Sequence, residues 1–422
     1  MKNISCSHRQ KGAVIVTVSL ALLFLLGFMG IAIDFGRLFI VKSELQTAMD
    51  SCALAAAQEL DGQSTALIRS TNAGRTAGNL NNVNLQSTSW SGQGKIIDSD
   101  ITFKNSTYIT TSTAANAKYA QCQHRQSNIN MWLLKAMGAF TSDTATYPTT
   151  QNVLAIAVAT RGSAQSTCPV PIALKPKPGG TAPNFGFVPG EWVTLLHQQN
   201  AAAGGQIGWA NLDGSNSASE TEAEMNGRCG TRVNDTLGTP GVQATIADAW
   251  NGRFGIYKNS SGPSLNRPDF TGYAYTAINW PSGQNAYSGT PGAGAPATAQ
   301  NFITKRLSFA NCANTGTNVR GANSCESITG LSLNGGFQSL ATAGANGEHQ
   351  QYGFNRRIVM VPVVNGSRVT DFACMLMLQP MPIPMANVKL EFLGNAGALN
   401  SPCTANGLPG GNAGPLVPVL VR

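Results

Sequence analysis

The chain has 422 residues, room for two or three domains of ~100–200 residues each. Hydrophobic residues make up 42%, which excludes wholesale disorder, while charged residues reach only 11% against a usual ~25%. The net charge of +8 is spread over 28 Lys/Arg with no basic run longer than Lys305-Arg306 and Arg356-Arg357, so no nucleic-acid footprint is expected. Asn, Gln, Ser, Thr and Gly must therefore build most of the solvated surface. That is the composition of an exterior protein rather than of a cytosolic enzyme.

Residues 12–33 carry no charge. At 1.5 Å per residue they form roughly 33 Å of helix, enough to cross a ~30 Å hydrocarbon core. Lys2, Arg9 and Lys11 precede the run, which predicts a cytoplasmic segment 1–11, a single transmembrane helix 12–33 and the bulk of the chain outside. A cleaved signal peptide is the competing reading, but its apolar region normally spans only ~7–15 residues before a small-x-small site. Here the run is longer and ends in Ile33-Asp34-Phe35, so a retained signal anchor is expected.

Nothing in the sequence breaks the helix at the membrane exit. Leu38, Val41, Leu45, Ala48, Cys52 and Ala55 follow 3-4 spacing and predict an amphipathic stem over 34–60, stopped by Asp61-Gly62. This stripe either packs on the next domain of the same chain or meets other helices in an assembly. Ala48, Ala53 and Ala55 to Ala57 are small enough for close helix approach, and Gly27 and Gly30 offer the same within lipid.

The segment from Arg9 to Leu60 resembles the N-terminal part of the TadE/TadG-like family of tight-adherence (Flp-type) pilus assembly proteins, and TadG in particular. The residues that carry the resemblance are Gly12-Ala13, Asp34-x-Gly36-Arg37, Leu45-Gln46-x-Ala48-x-Asp50 and Ala53 to Ala57. Further along, Trp250-x-x-Arg253-Phe254-Gly255-x-Tyr257 and the tail Val417-x-x-Leu420-Val421-Arg422 are similar to TadG-like proteins. The resemblance implies a bacterial inner-membrane component with a periplasmic bulk and no enzymatic activity. It also implies partners among other pilus-system membrane proteins and pilins. A prepilin carries Glu at its fifth mature position; a cut after Gly12 would put Thr17 there, which speaks against processing as a main pilin.

The fold class expected is α+β. A pilin-like, strand-rich module is expected over 61–165, with a turn at 79–84, strands at 95–103, 107–113 and 153–159, and a short helix at 127–140. The run 175–183 reads as a linker. A β-rich, loop-rich domain over 166–422 follows, with its main strands at 357–364, 369–378 and 388–392 and a low-complexity loop at 287–300.

Of nine cysteines, Cys6 would be cytoplasmic and reduced, while the other eight would lie where disulfides persist. Eight permit 105 connectivities. The nearest pair, Cys312 and Cys325, is the preferred disulfide candidate, and Cys52 is either paired or simply buried.

Little chemistry is legible. Asp213-Gly214-Ser215-Asn216-Ser217 matches the Asp-x-Ser-x-Ser metal pattern, but no aliphatic strand precedes it, so a solvated loop is the expected state. The acids Glu220, Glu222 and Glu224 beside it read as a solvated face. No CxxC, Gly-x-Ser-x-Gly, His-Glu-x-x-His or Walker loop occurs, and His8, His124, His197 and His349 are scattered. No cofactor, metal, nucleic acid or small-molecule substrate is expected. Three functions remain open: a TadG-like assembly factor, a minor pilin or adhesin within the filament, and a periplasmic enzyme on an anchor.

Overall fold

The computed structural model describes residues 11–92, 95–143, 145–197, 203–227, 229–239, 244–258, 262, 266–307, 315–320, 328–405 and 407–421. The chain is mixed α and β and divides into two compact units, Met1–Arg161 with Pro418–Arg422, and Gly162–Val417. The boundary falls at residue 161, and 175–183 is a loop inside the second unit rather than a linker.

The first unit is built on one helix, α1 (Lys11–Gln58), which runs without interruption from the uncharged segment into the folded part. It is long and apolar enough to cross a membrane. Helix α2 (Ala66–Asn79) packs antiparallel on its far end through a face of small residues: Ala66, Ser70, Gly74 and Gly78. A Cβ on Gly74 would stand 3.1 Å from Ala56 Cβ, and one on Gly78 would meet Ile96 Cδ1 at 2.2 Å and Cys52 Cβ at 3.1 Å. The small residues of α1 thus serve close approach to a helix of the same chain.

Strands β1 (Ile101–Lys104), β2 (Tyr119–Asn130) and β3 (Thr150–Ser163) form an antiparallel meander, with Ile101 opposite Cys122 and Ala120 opposite Ala159. The C-terminal strand Leu416–Leu420 adds beyond β3, giving a four-stranded sheet. Short helix α3 (Leu133–Thr141) lies between β2 and β3. The expected strand at 107–113 is a loop closed by the Lys104–Thr110 bridge, and 98–100 form a 3-10 turn ahead of β1. The expected helix at 127–140 begins only at 133, because β2 continues to Asn130. Disulfide Cys52–Cys122 ties α1 to β2 across 70 residues of chain, a closure worth about 4 kcal/mol in the chain-entropy model.

The second unit centres on a closed barrel of β4 (Ile172–Leu174), β5 (Trp192–Leu195), β6 (Ile207–Trp209), β11 (Ile358–Asn365), β12 (Arg368–Met377) and β13 (Val388–Asn395), in the order β11-β12-β13-β5-β6-β4. Two small ribbons lie outside it: β7 (Ile256–Lys258) with β10 (Phe337–Leu340), and β8 (Asn318–Val319) with β9 (Ser332–Leu333). Val359, Val361 and Val363 face one core and Ile358, Met360 and Val364 the other. Both faces of β11 are covered, so its sequence is a continuous apolar run rather than an alternating one. Disulfides Cys168–Cys229 and Cys374–Cys403 close further loops. Cys312 and Cys325, the expected pair, lie outside the described residues, as does Cys6.

Buried charge fixes the irregular chain around the barrel. Arg357 is fully buried, with its guanidinium donating to the carbonyls of Thr271, Tyr273 and Met377 at 2.7–3.0 Å and lying 4.2 Å over the Phe254 ring. Burial lowers its pKa to about 10. Glu391, also fully buried, accepts N–H groups from Ala286, Tyr287 and the Trp192 indole. Burial outweighs these donors and raises its pKa to about 7, against an ordinary 4.5. The folded state therefore holds a proton that the unfolded chain releases between about pH 4.5 and 7, so this group's contribution to stability is lost as pH rises through that window. Across the full window the loss is on the order of 3 kcal/mol. Asp371, raised by burial, acts with the same sign, and His349, lowered by burial, acts with the opposite one. In Glu391→Gln the unfolding transition of this unit, followed by urea titration from pH 4 to 8, is expected to lose that downward slope relative to wild type. An unchanged slope would place the titration elsewhere.

Candidate functional site

The residues that carry the sequence's most specific pattern converge where α1 leaves its apolar run. Asp34 is fully buried. Its Oδ1 accepts the Trp132 N–H at 3.0 Å, and its Oδ2 accepts those of Leu133 at 2.9 Å and Leu134 at 2.7 Å. These are the orphan donors at the start of α3, whose own N-cap residue, Trp132, offers no side-chain acceptor. A carboxylate on α1 therefore caps α3 from across about 100 residues of chain. It also complements the positive end of that helix.

Two neighbours lock the same junction. Gly30, one turn earlier, would drive a Cβ to 2.9 Å from Leu133 Cβ, so only glycine admits α3 here. Arg37 donates to the Asn130 carbonyl at 2.7 Å and lays its guanidinium 4.4 Å over the Trp132 ring. Gly36 makes no comparable approach: a Cβ there meets nothing within 4 Å.

Further along, the polar positions of the stem bind the edge of β3. Lys42 Nζ donates to the Leu154 carbonyl and Gln46 Nε2 to the Ile156 carbonyl at 2.9 Å, while Val421 N–H takes the next carbonyl in the row, Val158. Gln46 also bonds Asp50 at 2.8 Å. The spacing i, i+4 on the helix thus matches i, i+2 on the strand, and both reach along the same edge.

The apolar stripe proposed for contact with other helices is consumed within the chain. Val41, Leu45, Ala48 and Cys52 are fully buried in the core of this unit, Leu38 packs against that core, and Ala55 is half-buried. Alpha-helical stripe and sheet meet in one chain because both are apolar and covalently linked. Of the two settings open to this stripe, the burial is that of packing within the chain, where these residues hold the unit together.

The other candidates do not converge. Asp213 is exposed, and its Oδ1 accepts the Ser215 N–H at 2.9 Å. Ser215 Oγ donates to Glu220, and Ser217 leads into α4 (Ala218–Met225), with Asn211 Nδ2 bridging the turn. The loop spends its oxygens on its own shape. Glu224 departs from the expected solvated face: it is fully buried and accepts the Leu212 N–H at 3.0 and 3.1 Å. A cavity of about 400 Å³ opens beside Asp213, Glu224 and Asp235. Among the described residues no group of three or more His, Cys, Asp or Glu could hold a metal ion. His124 bonds Asp100 at 2.8 Å, His197 bonds Asn387 at 2.8 Å, and His349 bonds the Asp269 carbonyl at 2.7 Å, each alone. Trp90, Trp250 and Trp280 are core residues.

Reading the sequence alone missed Asp34 as a cap and α3 as its ligand. The one signal was an acid placed directly at the end of an apolar run. Asp34→Ala is expected to cost about 1–2 kcal/mol and to speed amide exchange at residues 132–134, measured by hydrogen exchange. Leu45→Ala is expected to cost about 2–5 kcal/mol in purified protein with no partner present, measured by thermal denaturation.

Residues 12–59 match the family model for Flp pilus-assembly TadE/G-like proteins, a match that covers α1 and its junction and leaves the rest of the chain unmatched. No curated protein and no solved structure matches the chain. Through residues 12–59, the chain carries a TadE/G-like domain, which ties it to Flp pilus assembly.

Proposed function

We propose that this chain is a non-enzymatic, TadG-like assembly component of a tight-adherence pilus, anchored once in the bacterial inner membrane. Its N-terminus faces the cytoplasm, and the part of the first unit beyond the span and all of the second lie in the periplasm. The observation that carries this reading is the change of environment along α1. Large apolar side chains such as Leu20, Phe24 and Phe28 stand 59–66% exposed, whereas Leu45, Ala48 and Cys52 of the same unbroken helix are fully buried. An apolar surface of that extent is stable in water only when something covers it, and the positively charged flank orients it. The three disulfides among the described residues suit an oxidising compartment.

With the stem stripe occupied, contacts with pilins and other pilus-system proteins fall to the outer surfaces of the units and to the membrane span. A second reading, a minor pilin carried into the filament, is favoured by one feature: the first unit lays a long N-terminal helix against an antiparallel sheet, a pilin-like plan.

The two readings separate on shearing. Surface filaments and membranes from the same cells are compared by immunoblot and intact mass. Full-length protein in the membrane fraction alone is the expected result. A shortened form in the filament fraction would make it a minor pilin and overturn the anchor.

A further inference from the structure

We propose that the start of α3, with the adjoining turn of α1, forms a platform that inserts into the bilayer surface, so that the first unit rests on lipid through Trp132, Leu133, Phe35 and Phe39. The proposal depends on the membrane-anchored reading of α1 and adds a second lipid contact to it.

The first argument is position. Leu133 packs on Gly30, which belongs to the uncharged run, so α3 starts level with the last turn of the span. Phe35 lies two residues beyond Ile33, about 3 Å along an upright helix and inside the polar layer of about 5–7.5 Å on one face of a bilayer, while Phe39, about 9 Å out, reaches its edge only as the helix tilts. The second is exposure. Trp132 is 58% exposed, Phe35 59% and Phe39 74%, although each sits beside well-packed residues of the same unit. Phe24, Phe28, Phe35 and Phe39 also share one side of α1, so the aromatic surface continues out of the span without a break.

The third argument is polarity. An acid at the hydrocarbon boundary must have its hydrogen bonds satisfied by protein, since water is scarce there. Asp34 meets that demand with three backbone N–H groups while fully buried. Arg37 and Lys135 supply positive charge beside the platform, where lipid phosphates lie, and an indole at this depth suits a membrane interface. A partner helix would also accept an apolar face. It would not explain why that face is continuous with the lipid-facing side of the span.

The test uses the full chain reconstituted in phosphatidylcholine–phosphatidylglycerol vesicles whose acyl chains are brominated at upper carbons. Co-flotation with the vesicles is scored first, then bromine quenching of tryptophan fluorescence in wild type and Trp132→Phe. An intact Cys52–Cys122 bond on a non-reducing gel confirms that the variant folds. Wild type is expected to float and to be quenched, and Trp132→Phe is expected to float and to lose the bromine-dependent component. Floating protein with unquenched wild type, or with equal quenching in both, would overturn the platform and leave the anchor standing. Protein that does not float would overturn the anchor itself, and the platform with it.

Discussion

Asp34 holds together two structures with opposite demands. Before it, α1 presents apolar side chains outward; after it, the same helix has one face buried in the first unit. A carboxylate at such a boundary is costly unless each oxygen has a donor. The free N–H groups of α3 supply those donors, and α3 in turn has no other cap. Each solves the other's unsatisfied polarity. The order of residues in the TadE/G-like segment then has a physical sense: Gly30 admits α3, Asp34 caps it and Arg37 clamps the end of β2. From there Gln46 registers β3 along the helix, and Cys52 fastens β2 to it covalently.

This arrangement makes the first unit dependent on its long helix in a particular way. The contacts of α1 with α2 are through small side chains, and small side chains bury little area each. Close approach of α2 compensates through many short-range contacts, because Gly74 and Gly78 let backbone lie against Ala48, Cys52 and Ala56. The disulfide then limits what the unfolded chain gains in freedom. A unit held by fit and crosslink rather than by bulk is sensitive to any added volume on that face. The exposed aromatic side of the helix carries no such constraint.

How much of this could be read from residues alone depended on whether the burial signal was apolar. Helix α1 was legible because its span is uncharged and its stem is periodic. Strands β11 and β12 were legible because covering both faces demands continuous apolar runs, and β13 because Val388, Leu390 and Phe392 alternate with Lys389 and Glu391. Helix α2 was not, since its buried face is Ala66, Ser70, Gly74 and Gly78, which no hydrophobic period detects. Strand β2 (YAQCQHRQSNIN) looks polar because much of one face is wet, while Ala120, Cys122, Gln126 and Ile129 point to the core. The Asp213 loop, expected as a solvated loop, shows why such a pattern is weak: spacing that suits a cation also suits a turn leading into a helix, and here Ser215 and Glu220 bond each other. Glu224 shows the same limit, because the amide it accepts, the Leu212 N–H, is twelve residues away in sequence.

The second unit follows a different rule from the first. With so few charges in the chain, burying Arg357, Arg253, Asp269 and Glu391 is a large commitment. Arg253 spends two nitrogens on the carbonyls of Arg356 and Met225, and Arg357 spends three on those of Thr271, Tyr273 and Met377. Thr271, Tyr273 and Arg356 lie in irregular chain, while Met377 and Met225 are the last residues of β12 and α4, where the regular bonding stops. A guanidinium, with five donors in a fixed plane, replaces that missing bonding at several points at once. Buried ionic groups of this kind add little net stability over an apolar core, but removing one partner leaves the rest stranded. The loops around the barrel are thereby held to one conformation, and a surface built largely from uncharged Asn, Ser, Thr and Gly can keep a defined shape. A fixed loop surface is the property that those buried arginines protect.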